Sequence, residues 1–209
     1  GKASQMDIAP ETLSIEAPYK LLTGCVVPRP IAWVTTLADD GHINAAPFSA
    51  FTFVSNRPPM VGVSIGKKVG VLKDTPRNIL ARKEFVVNIG DLNLLDQLHL
   101  SAQEYPPDVS EVEELDIEVL PSVRIKTPRI AKAPVSLECR LNQVVSFNEK
   151  TGFYVGEIVN FHIRDGLLKN GKIETAELNP ICRLGGPNYA TLGDIITKKA
   201  IFVSSKDEG

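Results

Sequence analysis

The sequence predicts a mainly β protein with short helices, built as a barrel of antiparallel strands. Runs of β-branched and aromatic residues recur at short intervals, and tight-turn residues separate them. Only two segments read as helices, and both are short. Many strands joined by tight turns favour a barrel over a parallel sheet, whose strands need long crossover connections.

Residues Ile31 to Leu37 form the first strand and end at Asp39-Asp40-Gly41, a hairpin signal. A second strand follows from His42 towards Phe48. Pro58-Pro59 punctuates the chain before Met60 to Ile65, which alternates as a half-buried strand does. Thr75 to Arg82 reads as a short helix, with Thr75 as N-cap and Pro76 at the first helical position, where its missing N–H costs nothing. Phe85 to Ile89 is another strand. Leu92 to Ala102 is a second helix, on the spacing of Leu94, Leu95 and Leu98.

The stretch from Gln103 to Pro134 is the least regular. It holds five prolines and the acids Glu111, Glu113, Glu114 and Asp116, and reads as a solvated excursion of the kind that serves as a lid or partner surface. The clearest strand runs from Val135 to Phe147. Val135, Leu137, Cys139, Leu141, Val145 and Phe147 fall on one face, with Ser136, Glu138, Arg140 and Asn142 on the other. A turn at Asn148 to Gly152 leads into Phe153 to Arg164, closed by Asp165-Gly166. No repeat and no low-complexity linker interrupts the chain, so one domain is expected over residues 1–209.

At 43% apolar and 23% charged residues the composition is that of an ordinary soluble domain. The net charge of −2 argues against a nucleic-acid footprint, which needs a basic surplus. No apolar run approaches the roughly 20 residues that span a bilayer, and the first residues lack a leader's charged-then-apolar pattern. Cys25, Cys139 and Cys182 are far apart and odd in number, which fits a reducing, cytoplasmic setting. His42, His99 and His162 have no metal-ligand spacing, so no metal site is expected.

The most informative local pattern is Lys73-Asp74-Thr75-Pro76-Arg77-Asn78. A helix start leaves N–H groups unpaired and carries positive partial charge, so it suits an anion. Thr75 adds a hydroxyl, Asn78 an amide and Lys73 a cation, with Lys67 and Lys68 close by in sequence. Together they suit a phosphate monoester. Asp74 opposes this unless it caps the helix or points away, and a plain capped surface helix is the alternative reading. The run Asn44 to Phe51 is rich in small residues, which let backbone approach a flat ligand or simply pack strands tightly.

No GxGxxG or GxxxxGK[ST] loop, GxSxG elbow or Cys/His couple is present. His42 and His162 read as structural or exposed, Asp39-Asp40 as turn chemistry and Trp33 as core. The sequence supplies binding groups without an evident acid, base or nucleophile, so no catalytic side chain is assigned. Such a protein leaves the chemistry to a cofactor.

Four segments in order carry a resemblance: Pro28 to Thr36, Gly41 to Phe51, Lys73 to Asn78 and Arg183 to Tyr189. Over roughly residues 15 to 195 the chain resembles the flavin reductase-like family, the flavoredoxin and flavin reductase branch of the FMN-binding split barrels. The resemblance implies a Greek-key split barrel, a homodimer and FMN held near the subunit interface. It places Thr35 and Thr36 near the flavin, with Ala46, Pro47, Phe48 and Ser49 along its ring edge. Ser64 and Ile65 would lie beside them, and Lys73, Thr75 and Asn78 would hold the phosphate. Arg29, Arg183 and Tyr189 match motif positions that would close the pocket.

The implied function is hydride transfer from NADH or NADPH to FMN, with electrons passed to a monooxygenase or other redox partner. A flavoredoxin-like electron carrier with tightly bound FMN and a protein partner is the alternative, and a flavin-binding domain without turnover is a third. Neither nucleic acid nor membrane is expected as a partner.

Overall fold

The computed structural model describes residues 4–66, 74–106 and 108–202. Seven strands form its main sheet: β1 (Ala32–Leu37), β2 (Ile43–Phe48), β3 (Phe51–Asn56), β4 (Pro59–Gly66), β5 (Glu84–Ile89), β6 (Val135–Asn148) and β7 (Thr151–Ile163). Every neighbouring pair is antiparallel, in the order β2-β1-β5-β6-β7-β4-β3. The two outermost strands, β2 and β3, are consecutive in the chain and joined by Ser49-Ala50 alone. The sheet therefore has to curl until its edges meet. At the Ser49-Ala50 corner the Ser64 N–H of β4 donates to the Ala50 carbonyl at 2.8 Å, which carries the β3–β4 ladder up to the seam. The result is a barrel split along one line.

Hairpin chemistry sets the first turn. Gly41 sits at φ +91°, where a side chain would be strained, and Asp40 accepts from the His42 N–H at 3.0 Å and contacts His42 Nδ1 at 2.7 Å. His42 thus belongs to the turn, and β2 starts at Ile43.

Among the described residues the α-helices are α1 (Ala17–Cys25), α2 (Asp74–Arg82), α3 (Leu95–Leu100), α4 (Glu111–Glu114) and α5 (Thr175–Leu178). α2 packs on β1, β2 and β5. Its described residues begin at Asp74, so Thr75 lies within the helix instead of capping it. The helix expected over 92–102 is divided: Asp91 accepts from the Asn93 N–H at 3.2 Å and starts a 3₁₀ turn, Leu92–Leu94, that precedes α3.

Both faces of β1 are covered. Ala32 and Val34 join Val61, Val63, Ile65, Ile79, Phe85 and Tyr154 in the barrel interior. Trp33 faces the other way, among Leu94, Leu98, Val112, Ile117 and Ile130 beneath α3 and α4. Its indole N–H donates to Ser101 Oγ at 3.0 Å, which satisfies the one polar atom of a fully buried ring.

β6 departs from simple alternation in two ways. Its polar face is buried where residues 121–131 fold over it: Glu138 accepts from the N–H groups of Val123, Arg124 and Ile125, from Asn160, and contacts His162. Glu84 likewise accepts from the N–H groups of Lys126 and Thr127 and from the Thr127 hydroxyl. Further along, Leu141 pairs with Gly156 while Gln143 pairs with Val155, leaving Asn142 as an extra residue. That bulge reverses the faces. Val144 packs on the core, while Val145 and Phe147, expected on the apolar face, are exposed at 39% and 67%.

The stretch 103–134 is also less solvated than its composition suggests. It carries α4 and a small antiparallel pair, Val119–Leu120 with Arg129–Ile130, and it buries Glu111, Val112, Ile117 and Ile130.

Candidate functional site at the first turn of α2

β1 and β2 present their even-numbered residues towards α2, because Thr36 stands opposite Asn44 and Val34 opposite Ala46. The first turn of α2 brings Thr75 and Asn78 against that face. Asn78 Nδ2 donates to Thr36 Oγ1 at 3.1 Å, and the Asn44 side-chain amide contacts Thr75 Oγ1 at 2.8 Å. Thr36, Asn44, Thr75 and Asn78 are each 7% exposed or less. Four buried hydroxyls and amides thus lie together at the first described turn of α2. Asp74, the carboxylate that opposes an anion here, is paired with Arg77 one turn on. That pairing lowers its net repulsion.

The remaining residues singled out in the sequence fall into three groups. Ala46 and Phe48 share the face of Thr36 and Asn44, and Pro47 alternates away; all three are partly exposed. Ser49 and Ser64 flank the seam, and Ser49 Oγ accepts from Arg29 Nε at 3.2 Å. The same guanidinium donates to the Thr23, Val26 and Leu184 carbonyls, so it ties the end of α1 and the segment after Cys182–Arg183 to the seam. Arg183 stacks on Tyr189 with its guanidinium carbon 4.5 Å from the ring centre.

Thr35 and Ile65 stand apart. Thr35 faces away from α2, donates to the Pro128 carbonyl at 2.8 Å and accepts from Asn88 Nδ2 at 3.2 Å. Ile65 is 1% exposed in the barrel interior. Lys67, Lys68 and Lys73 lie outside the described residues. No cluster of metal-ligating side chains occurs among the described residues.

Two residues that the sequence reading did not single out belong to this neighbourhood. Asn44 opened the small-residue run without being assigned a role. Glu111, read as one acid of a solvated cluster, is 5% exposed and reaches β2, where one carboxylate oxygen lies 3.4 Å from the Ala45 N–H. Its oxygens also lie 2.6 and 2.7 Å from the Asn44 amide. Burial, with a smaller push from the charge of Asp74, raises the Glu111 carboxyl to about 7 against the hydrogen bond from Ala45. A local signal did exist: Ser110 and Glu113 have the spacing of a capping box, and Ser110 does cap α4. That fixes a helix start and turns Val112 inward, with Glu111 beside it.

The likeness to known proteins is extensive. A family model described as "Flavin reductase like domain" matches residues 23–177. The structure superposes on nitrilotriacetate monooxygenase component B from Bacillus cereus with a TM-score of 0.91 at 35% identity, covering 94% of this chain and 100% of that one. The 2-nitrobenzoate 2-nitroreductase NbaA of Pseudomonas fluorescens gives 0.87 at 34% identity, over 96% and 99%. Protein YwrF of Bacillus subtilis is 38% identical over 90% of this chain and 95% of its own length. A curled antiparallel sheet with one seam, matched across its length to such proteins, leads to one conclusion: this chain is a split-barrel member of the flavin reductase-like family.

Proposed function

We propose that the protein binds FMN, with the phosphate at the first turn of α2 and the ring along the β2 edge, and acts as an NADH- or NADPH-dependent flavin reductase. The observation that carries this reading is the buried set Thr36, Asn44, Thr75 and Asn78 at the first described turn of α2. Hydroxyl and amide donors held together fit a phosphate monoester. In this reading Thr75 and Asn78 donate to phosphate oxygens, Lys73 adds charge, and Thr36 orients the Asn78 amide. Ala46, Pro47, Phe48 and Ser49, with Ser64 and the backbone of Thr35 and Ile65, form the wall against which a flat ring lies. Arg29 fixes the Ser49 hydroxyl for the ring's polar edge.

Bound FMN would accept a hydride and pass electrons on, and the hydride transfer itself needs no side-chain proton transfer. Positioning is the protein's contribution. The acceptor is proposed to be a monooxygenase component or another redox protein, in keeping with the relative named as component B of a monooxygenase. We further propose a homodimer and a single cytoplasmic domain. Exposed Tyr19 and Leu22 on α1, and Ile195, Ile196, Ile201 and Phe202 in the C-terminal segment, support the dimer as an apolar surface that a second copy would cover. Free Cys25, Cys139 and Cys182 fit a reducing compartment. Among the described residues no helix is long and apolar enough to cross a membrane.

The test is a visible spectrum of the purified protein with FMN, then anaerobic titration with NADH and with NADPH. A red-shifted, resolved FMN band that bleaches with either donor is expected. Binding without bleaching by either would replace the reductase by the flavoredoxin-like carrier, and no spectral change on adding FMN would end the FMN reading.

A further inference from the structure

The Asn44 amide stands between Glu111 and Thr75, and its two orientations have different consequences. In one, Nδ2 donates to Thr75 Oγ1 at 2.8 Å. The amide oxygen then faces the Glu111 carboxyl at 2.6 and 2.7 Å, a contact that requires a proton on Glu111. In the other, Nδ2 donates to the Glu111 carboxylate and the amide oxygen accepts from the Thr75 hydroxyl at 2.8 Å. An ionised carboxylate only accepts, so it requires the second arrangement; a neutral carboxyl can also donate, and opens the first.

The two arrangements differ in one hydrogen atom that matters. With Glu111 neutral, Thr75 receives a hydrogen bond from Asn44 and its own O–H is free to donate to an anion. With Glu111 ionised, that O–H is committed to Asn44, and Thr75 offers only lone pairs. We propose that Glu111 is a proton-linked positioning residue that, through the Asn44 amide, decides whether Thr75 can donate to the phosphate of bound FMN. This rests on the assignment of Thr75 to the phosphate.

The surroundings keep the switch within an accessible pH range. Glu111 is buried, and its carboxyl titrates near 7 because burial outweighs the Ala45 hydrogen bond, with Asp74 adding to the rise. Among the described residues the titratable groups that act on it are Asp74 on α2, itself paired with Arg77, and Tyr105 in the segment before α4. Glu114 of α4 acts with Glu111 on the same tyrosine, and β2 contributes no titratable side chain between Ile43 and Phe48.

The experiment compares FMN with riboflavin, which lacks the phosphate, in flavin-free wild type and in Glu111→Gln between pH 5.5 and 8.5. The glutamine amide can donate to the Asn44 oxygen at every pH and carries no titratable proton, so the first arrangement stays open throughout. Ionisation of the FMN phosphate itself affects both proteins, so the ratio of their FMN dissociation constants is the quantity read. It should be near one at pH 5.5 and rise to about tenfold by pH 8.5, the scale of one hydrogen bond, with wild type the weaker binder. The riboflavin ratio should stay level. Calorimetry of wild type in buffers of different ionisation enthalpy needs no variant: proton uptake at pH 7.5 with FMN, and none with riboflavin, is expected. A level FMN ratio, or no proton uptake, overturns the coupling and leaves FMN binding standing. Equal pH dependence for riboflavin also overturns it, by removing the phosphate from the effect. Absence of FMN binding in both proteins overturns the coupling together with the reading beneath it.

Discussion

Thr75 and Asn78 are separated by one helical turn, and that spacing sets what each can reach. Both side chains project from the same stretch of α2 onto Thr36 and Asn44, so removal of either leaves a partner without its hydrogen bond. Thr75→Val and Asn78→Ala are each expected to weaken FMN binding by about 1–3 kcal/mol, while riboflavin affinity changes little. Fluorescence titration with the two flavins reads this directly. A second residue-scale expectation concerns Gly156. A Cβ there would stand 2.5 Å from Phe85 Cζ and 2.9 Å from Cys139 Cβ, inside a packed core. Gly156→Ala should therefore lower stability by about 1–3 kcal/mol in denaturant melts, with no change in flavin specificity. The Thr75 and Asn78 pair was legible in the sequence because helix starts are written locally, in a hydroxyl, a proline and an amide. Glu111 was not. Its contact with Ala45 joins residues 66 apart in the chain, and nothing near Glu111 names the strand it meets.

Elements show the same division. Six of the seven strands of the main sheet follow from alternation and turn residues, with bounds within two residues of the sequence reading; β3 (Phe51–Asn56), which has no alternation of burial, does not. The β6 bulge was invisible because one extra residue has no composition of its own; only pairing with β7 exposes it. Nor could Glu138 be told from a solvent-facing acid, since the segment that buries it comes from 121–131. That segment is pinned by two carboxylates, and the pinning has a pH signature. Burial works to raise the Glu138 carboxyl, but hydrogen bonds from the Val123 and Arg124 N–H groups, His162 and Asn160 together hold it below its ordinary 4.5. Its contribution is therefore complete above pH 4.5 and lost as pH falls through the lower folded value. Glu138→Gln should flatten the loss of thermal stability below pH 4.5 relative to wild type, as followed by circular dichroism melts.

For the whole molecule, Glu111 acts with the opposite sign. Its folded value of about 7 lies above the ordinary 4.5, so its contribution is complete below pH 4.5 and is lost as pH rises through about 7. The two contributions work in opposite directions with pH, and Glu111→Gln should lessen the loss of stability as pH rises through about 7, as read from thermal melts. Association is the other property of this scale. The apolar side chains exposed on α1 and in residues 195–202 are expected to give a dimer in sedimentation velocity, and Ile196→Asp should shift it towards monomer.

The position of α4 also matters when the fold fails. β2 is an outer strand of the sheet, and among the described residues its outward backbone groups pair with no further strand. Ser110 Oγ donates to the Ile43 carbonyl at 2.7 Å and Glu111 faces the Ala45 N–H, so two side chains stand where a neighbouring strand would pair. The short helix is a guard against polymerisation: displace it, and β2 becomes a template on which the strand of another molecule can add.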